Sequence, residues 1–446
     1  MRSLTTLNLP DRSTMQLKVL LNLVHPIKGF VYQSDQLVAD PAGVNGSGVE
    51  VSIRPRRGSR GKCSGCGRPG PTYDTQPERR FAFVPLWGLA VVLLYAPRRI
   101  DCDRCGVKVE WMPWCEPGSK SGTTLALKGF LAAWAKRLSW KQTAEAFGVS
   151  WEAVYRSVAW VVAYGLERRD LSGIQAIGVD EVAYAKGHRY ATLVYQIDRG
   201  CRRLLHVAEG RSTKSFLSFF VMLKQSARRR GLASDAFVNP IAYVCSDLLA
   251  AYRKVIAKML PGATHILDRY HIVANLHKAL DEVRAGEAKQ MKQDGYEPVL
   301  KKTRWLLLRR KTDLSGKQKH RLKDLLQYNL KTVRAYVLVE GFDAFWDYTS
   351  PAWAGKFLDA WCSQVMRSRI EPLKKQAKSL RKHRELLLNW FRAKKQYNSG
   401  IVEGLNGVVK VRFRKAYGFR TLGAIQTALY HELGELPEPK HTHRFC

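Results

Sequence analysis

Acidic residues are scarce in this sequence. Only 38 Asp and Glu stand against 74 Lys and Arg in 446 residues, a formal net charge of +36 and a pI near 10. Such an imbalance disfavours a cationic partner and favours a polyphosphate, since each phosphate neutralised releases condensed counterions. A basic ribosomal protein would be much shorter, and a membrane-surface protein calls for amphipathic helices that are not found here. Long apolar runs are missing as well. The longest, FAFVPLWGLAVVLLYAP, is broken by Pro85 and Gly88 and is too short to span a bilayer. Residues 1–20 hold neither a continuous apolar core nor a small-residue cleavage site, so no secretory leader is expected and the chain reads as cytoplasmic. Internal repeats and low-complexity tracts are also lacking. A hydrophobic fraction of 46% with 10% aromatics excludes wholesale disorder, and the length allows two or three domains. In a reducing compartment the nine Cys are expected as free thiols or metal ligands.

Four of those Cys form two knuckles. CSGCG at Cys63 and Cys66 and CDRCG at Cys102 and Cys105 are each closed by Gly, so each can turn two thiolates toward one ion. Two such turns supply the four-sulfur tetrahedron that Zn²⁺ accepts, with no open position for catalysis. A structural zinc ribbon over residues 61–118 is expected, with β-sequence (FAFVPLWG, LAVVLLYAPRRI) filling the gap and Cys115 a bystander. Unrelated buried Cys, or one redox pair, is the competing reading. Residues 1–60 show weak apolar periodicity and end in the basic, turn-rich SIRPRRGSRG.

Between 119 and 170 apolar residues fall three and four apart, which predicts three successive helices. WKQTAEAFGVSWEAVYRSVAW has the layout of a helix-turn-helix. Ala144 and Phe147 face inward, Gly148 suits the turn, Val149 plugs it and Ser150 caps the second helix. Trp151, Glu152, Tyr155 and Arg156 then lie where a recognition helix reaches base edges. A helical bundle without a DNA role would carry the same pattern.

From about Ile174 the periodicity becomes that of strands: AIGVDEVAY, RYATLVYQID, RRLLHVAEG, and, after a helix, IAYVCSD and ATHILDRYH. Asp180 lies inside an apolar strand, where an ionised carboxylate is costly unless compensated. Glu181 alternates to the opposite face. Asp247 ends a second buried strand, the position where ligands gather in α/β sheets. With Glu403 on a later helix, these acids would make a cluster able to hold two Mg²⁺ for in-line phosphoryl transfer. The plainer readings are a strand-end turn for Asp180, a helix cap for Asp247 and an acid among salt bridges for Glu403. Asp268 and His271, in DRYH, are possible accessory residues that orient the site, or else a cap and a surface His. Residues 285–395 read as helical, basic and studded with Trp305, Trp346, Trp353, Trp361 and Trp390.

Taken together, the knuckles, the helical pair, IGVDEVAYAKGHRYATLVYQID, VCSDLLAAY, DRYHIVANLHKALDEVR and NSGIVEGLNGVVKVRFRKAYGFR resemble transposases of the ISL-three insertion-sequence family. The resemblance runs from about Cys63 to Leu436. It implies a ribonuclease H-like core with an Asp-Asp-Glu triad, which falls motif by motif on Asp180, Asp247 and Glu403 as Mg²⁺ ligands. The expected architecture is multidomain α+β. A zinc ribbon and helix-turn-helix precede a mixed α/β core (171–284), which is interrupted by the helical insertion (285–395), completed by 396–436 and followed by a tail (437–446). Gly400 and Gly404 are expected to permit close backbone approach, and Lys410, Arg412, Arg414, Lys415 and Arg420 to meet phosphates; a merely solvated basic face is the alternative. The implied function is binding of terminal inverted repeats, then Mg²⁺-dependent cleavage and strand transfer. It involves two catalytic Mg²⁺ (Mn²⁺ able to substitute), one structural Zn²⁺, double-stranded DNA as partner and target, a homodimer at synapsis, no membrane, and association with the nucleoid. A non-catalytic DNA-binding regulator and a ribonuclease H-like nuclease remain as rivals.

Overall fold

A computed structural model describes residues 17–39, 47–118, 121–185, 187–296, 299–309, 311–397, 400–416, 418–419 and 421–439. It is a mixed α and β chain with three sheets and fifteen α-helices among the described residues. Two compact units account for it, one built from the described residues up to Arg169 and from Gly423 onward, the other from Asp170 to Leu422.

The first unit starts with α1 (Leu17–Val24), β1 (Phe30–Ala39) and β2 (Ser47–Pro55), more order than the weak periodicity there foretold. Next come β3 (Thr72–Thr75), β4 (Arg79–Leu86), β5 (Leu89–Tyr95), β6 (Arg98–Ile100) and β7 (Lys108–Val109). Strands β4 and β5 do not fill out the ribbon; they join β1 and β2 in a four-stranded sheet of order β1-β2-β5-β4. The apolar run LAVVLLY is the reason, because β5 is an inner strand and buries most of its length. The Cys knuckles belong to the smaller sheet β3-β6-β7. Buried Glu110 links the two sheets, accepting hydrogen bonds from Tyr95 on β5 and from Arg98 Nη2 (2.7 Å) on β6. Three helices follow as expected: α2 (Leu125–Ala135), α3 (Trp140–Ala146) and α4 (Trp151–Arg168).

The second unit is organised by one sheet: β8 (Ala176–Ala185), β9 (Arg189–Asp198), β10 (Cys201–Glu209), β11 (Tyr243–Ser246) and β12 (Thr264–Leu267), in the order β10-β9-β8-β11-β12. The first three strands are antiparallel hairpin neighbours; β11 and β12 then add in parallel beside β8. Helix α5 (Thr213–Arg229) leads into β11 and α6 (Ala250–Met259) into β12. Together they bury Phe216, Phe219, Phe220 and Tyr252 against Ile177, Val179 and Val194. Those three strand residues share one face, so Gly178, Asp180 and Tyr195 are left to the other.

Helix α7 (Arg269–Gln293) opens the helical stretch, which continues through α8 (Arg304–Leu308), α9 (Gly316–Leu325), α10 (Lys331–Phe342), α11 (Pro351–Arg367), α12 (Glu371–Lys382) and α13 (Arg384–Arg392). Trp346, Trp361 and Trp390 are core residues of this stretch, whereas Trp305 and Trp353 are exposed. Helix α13 lies on edge strand β12, where Asn389 Nδ2 donates to the carbonyl of His265 at 2.9 Å. An otherwise open sheet edge is thereby covered.

Helix α14 (Gly400–Lys415) then crosses the free face of β8. It can do so because residue 178 has no side chain: a Cβ there would collide with Val402 Cγ2. The close approach foreseen at Gly404 occurs at this strand residue instead, for Gly404 has open space beside it. The last helix, α15 (Leu422–Leu433), begins at the junction of the units and lies chiefly in the first. There Tyr430 stacks under Arg169, Glu438 pairs with Lys136, and the chain at Leu436 fits against Gly165.

The Gly178–Val402 contact gives a direct test. Gly178→Ala should destabilise the protein by about 1–3 kcal/mol, the usual consequence of overpacking. Adding Val402→Ala should recover part of that loss, measured as urea unfolding midpoints of the single and double variants.

Candidate functional site

Three groups of candidate residues can now be located. The four knuckle Cys converge, their sulfurs all lying within 4.8 Å of one another. Gly67 (φ 74°) and Gly106 (φ 68°) supply the left-handed residues that close each turn, and their N–H groups donate to Cys63 and Cys102 carbonyls, both at 2.8 Å. A zinc ion with Zn–S bonds of about 2.3 Å needs sulfurs roughly 3.8 Å apart, so this set fits. The backbone N–H groups of Arg104 and Cys105 hold the Cys102 thiol down at about 7, while contact with Cys66 pushes Cys105 up to about 12. Thiols this crowded share protons that a bound cation would displace. Cys115 is buried outside the group.

The α3–α4 pair follows the expected local chemistry. Ser150 caps α4 by accepting from Ala153 N at 3.1 Å, Gly148 takes φ 60°, and Ala144 is buried. Trp151, Glu152 and Arg156 are exposed at the start of α4, with Arg156 paired to Glu152 at 3.2 Å. Tyr155 is half-buried against Trp140, their rings 5.2 Å apart.

The acids sit at one end of the five-stranded sheet. Burial raises the Asp180 carboxyl from its ordinary 3.8 to about 6 and also raises Asp247, each further lifted by Asp268. Asp247 does not cap α6 directly; it accepts from Leu249 N at 2.9 Å in a turn ahead of the helix. Asp268 caps α7, accepting from Tyr270 N at 2.7 Å, and pairs with His271 Nδ1 at 2.8 Å. That pairing raises His271 to about 9, so it faces Asp180 and Asp247 as a cation. Glu181 does alternate to the opposite face, toward Tyr252, yet it stays within electrostatic reach of Asp247 and is raised to about 7, chiefly by burial. Glu403 is exposed in the first turn of α14. Among the described residues the four Cys are the only set of three or more ligands this tightly gathered, so Glu403 does not close up on Asp180 and Asp247. Of the basic candidates, Lys410, Arg414 and Lys415 are exposed, Arg412 is buried, and Arg420 lies outside the described residues.

One residue escaped the sequence reading. Asn406, buried on α14, donates from Nδ2 to Asp180 Oδ2 at 2.6 Å and accepts at Oδ1 from Tyr195 OH at 2.7 Å. Burial keeps the phenol protonated, so the phenol is the donor and fixes which way the amide points. Its signal was present, since Asn406 lies three residues beyond Glu403 on one helical face.

With this geometry in place, comparison with known proteins is decisive. Residues 177–429, more than half of the chain, match the sequence profile of the ISL3 family, described as transposase. The chain belongs to the ISL3 transposase family. It is 31% identical over 361 residues to the transposase for insertion sequence element IS1001 of Bordetella parapertussis, covering 80% of this chain and 85% of that one. It is also similar to the transposase for insertion sequence element IS1557 of Mycobacterium tuberculosis, 27% identical over 422 residues, with 89% and 91% covered. The matched segment of this transposase contains Asp180, Asp247, Asp268, Asn406 and Glu403, together with the whole helical stretch between β12 and α14. No described helix is long and apolar enough to cross a membrane.

Two outcomes follow for the transposase. Purified protein should carry about one Zn²⁺ per chain, and Cys63→Ser with Cys102→Ser should release it and unfold the small sheet while the five-stranded sheet survives. Elemental analysis that finds no zinc in the wild type would end this assignment. The second concerns Asp180. Its folded pKa of about 6 lies above its ordinary 3.8, so without metal the folded state binds the extra proton and loses stability as pH rises through 6. The stability gap between Asp180→Asn and wild type should therefore widen from pH 4 to pH 7, by a few kcal/mol at most. Mg²⁺ at pH 7 should narrow it. Urea unfolding of both proteins across that range is the measurement, and a pH-independent gap counts against a desolvated Asp180 carboxylate.

Proposed function

We propose that this transposase binds the terminal inverted repeats of its own element and carries out Mg²⁺-dependent strand cleavage and strand transfer, with Asp180, Asp247 and Glu403 as the metal-holding triad. The observation that carries the reading is the position of two half-buried carboxylates, both raised above their ordinary range. Asp180 lies on the central strand and Asp247 just past the end of its parallel neighbour, with α14 seated on the same strand through Asn406. A sheet of three antiparallel strands extended by two parallel ones supports a ribonuclease H-like core. Residues 285–395 are then an insertion ahead of its last helix.

The donor set suits Mg²⁺, since half-buried carboxylates held above their ordinary range are relieved by a divalent cation. When bound, such ions activate a water or 3′-hydroxyl and stabilise the leaving oxygen. The chain's own residues do the rest. Tyr195 and Asn406 aim the Asp180 carboxylate, and His271, fixed by Asp268, offsets the negative charge beside it. Glu403 shares the helical face of Asn406, which supports its joining the site when ions and DNA are present. Lys410, Arg414 and Lys415 offer phosphate contacts along the same helix. The zinc ribbon and the α3–α4 pair, read as a helix-turn-helix, form the recognition end, with Trp151, Glu152, Tyr155 and Arg156 toward the bases. Pairing two element ends calls for a homodimer at synapsis.

Single-turnover cleavage of a labelled element end, with binding followed by gel shift, tests this. Asp180→Asn, Asp247→Asn and Glu403→Gln should each bind the repeat and lose cleavage by orders of magnitude. The triple variant should lose little more, because the acids act as a unit. Near-normal cleavage by folded Glu403→Gln would remove it from the triad, and a wild type that binds but never cuts would favour the non-catalytic regulator.

A further inference from the structure

Arg211 occupies the turn between β10 and α5, and that turn is held from several sides. Gly210 (φ 78°) donates its N–H to the carbonyl of Tyr190 at 2.7 Å, and Thr192 Oγ1 donates to the carbonyl of Gly210 at 2.7 Å. Ser212 caps α5 directly afterwards, accepting from Ser215 N at 3.1 Å. The Arg211 backbone is thus fixed to β9, the strand beside Asp180. Its guanidinium lies over the Tyr190 ring, 4.2 Å from the centroid, with Nη1 3.9 Å from Glu181 Oε1. It acts on the Asp247 carboxyl as well as on Glu181.

What Arg211 does not do is equally informative. A separation of 3.9 Å is an ion pair without a hydrogen bond, and among the described residues the guanidinium donates no hydrogen bond. Nearly half of the side chain, 48%, is exposed, while Glu181 is only 17% exposed and is contacted by Tyr252 OH at 3.4 Å. A cation meant only to neutralise these acids would close on one of them with the two-pronged geometry that Arg and carboxylates favour. Here the aromatic face and a distant carboxylate hold the group in place and leave its planar fork of donors open.

We propose that Arg211 contacts a non-bridging oxygen of the substrate phosphate engaged at the Asp180–Asp247 site, with Glu181 and Tyr190 as the residues that position it. The assignment rests on the phosphoryl-transfer reading above. It also accounts for a half-buried acid beside Asp180 that faces away from α14, because Glu181 anchors the cation.

Full-length protein, a labelled element-end duplex and Mg²⁺ give the test. Arg211→Ala should cleave about 10²–10³-fold more slowly in single turnover, the scale of losing one preorganised donor, while gel-shift affinity changes by less than about threefold. Millimolar guanidinium chloride should return part of the lost rate, and equal NaCl should not. A merely structural role would not respond in that way. Arg211→Lys should fall between, since it keeps the charge but not the fork. If Arg211→Ala does not fold, Arg211→Lys and Arg211→Gln carry the comparison on a retained stem over Tyr190. Wild-type-like cleavage by these variants, or a loss in Arg211→Ala that guanidinium does not restore, overturns the assignment and leaves the triad reading standing. A wild type that binds the duplex and does not cut it removes the triad reading and this assignment with it.

Discussion

The seat of α14 on β8 is the constraint on which the second unit depends. A residue without a side chain at 178 lets Val402 settle onto the strand, and that fit brings Asn406 to Asp180. Tyr195, fully buried on the neighbouring strand, then decides the orientation of the amide. None of these contacts is strong alone, since a net hydrogen bond contributes about 1 kcal/mol. Their value is geometric: a half-buried carboxylate is aimed by groups that cannot turn, because their own partners and close packing hold them.

Much of this organisation could be read from the chain. The strand series from Ala176 to Leu267 was legible because period-two and continuous apolar runs alternate there with helical stretches. The Cys knuckles were legible because the Gly after each pair has a single conformational purpose. The α3–α4 turn was legible for the same reason, with Ser150 and Gly148 acting as punctuation. Less could be seen where pairing is non-local. FAFVPLWG and LAVVLLYAP were recognisable as strands, but nothing in their pattern says that their hairpin joins a strand ahead of the first Cys pair rather than staying within the ribbon. Arg412 looked like its basic neighbours, and only packing reveals that it faces inward. Asn406 was overlooked because a neutral amide beside a conspicuous acid carries no electrostatic signature; its importance lies in a phenol far away in sequence.

The helical stretch between β12 and α14 is more than spacer. Its aromatic core of Phe342, Phe345, Trp346 and Trp361 gives it stability of its own. Through Asn389 it also covers the edge of the sheet. The same stretch carries much of the basic excess, so positive charge and protection of an edge strand come from one run of helices. Acidic residues, though few overall, gather where the sheet ends, and a mainly cationic surface raises local phosphate concentration around them.

The bond from Asn406 to Asp180 joins positions 226 residues apart. Such a closure has a high entropic threshold and comes late in folding, after the strands have paired among themselves. During synthesis the sheet leaves the ribosome with its aiming helix still unmade. A nascent chain that has not yet released α14 therefore holds Asp180 without the amide that aims it, and the order of synthesis sets the order in which this end of the sheet is completed.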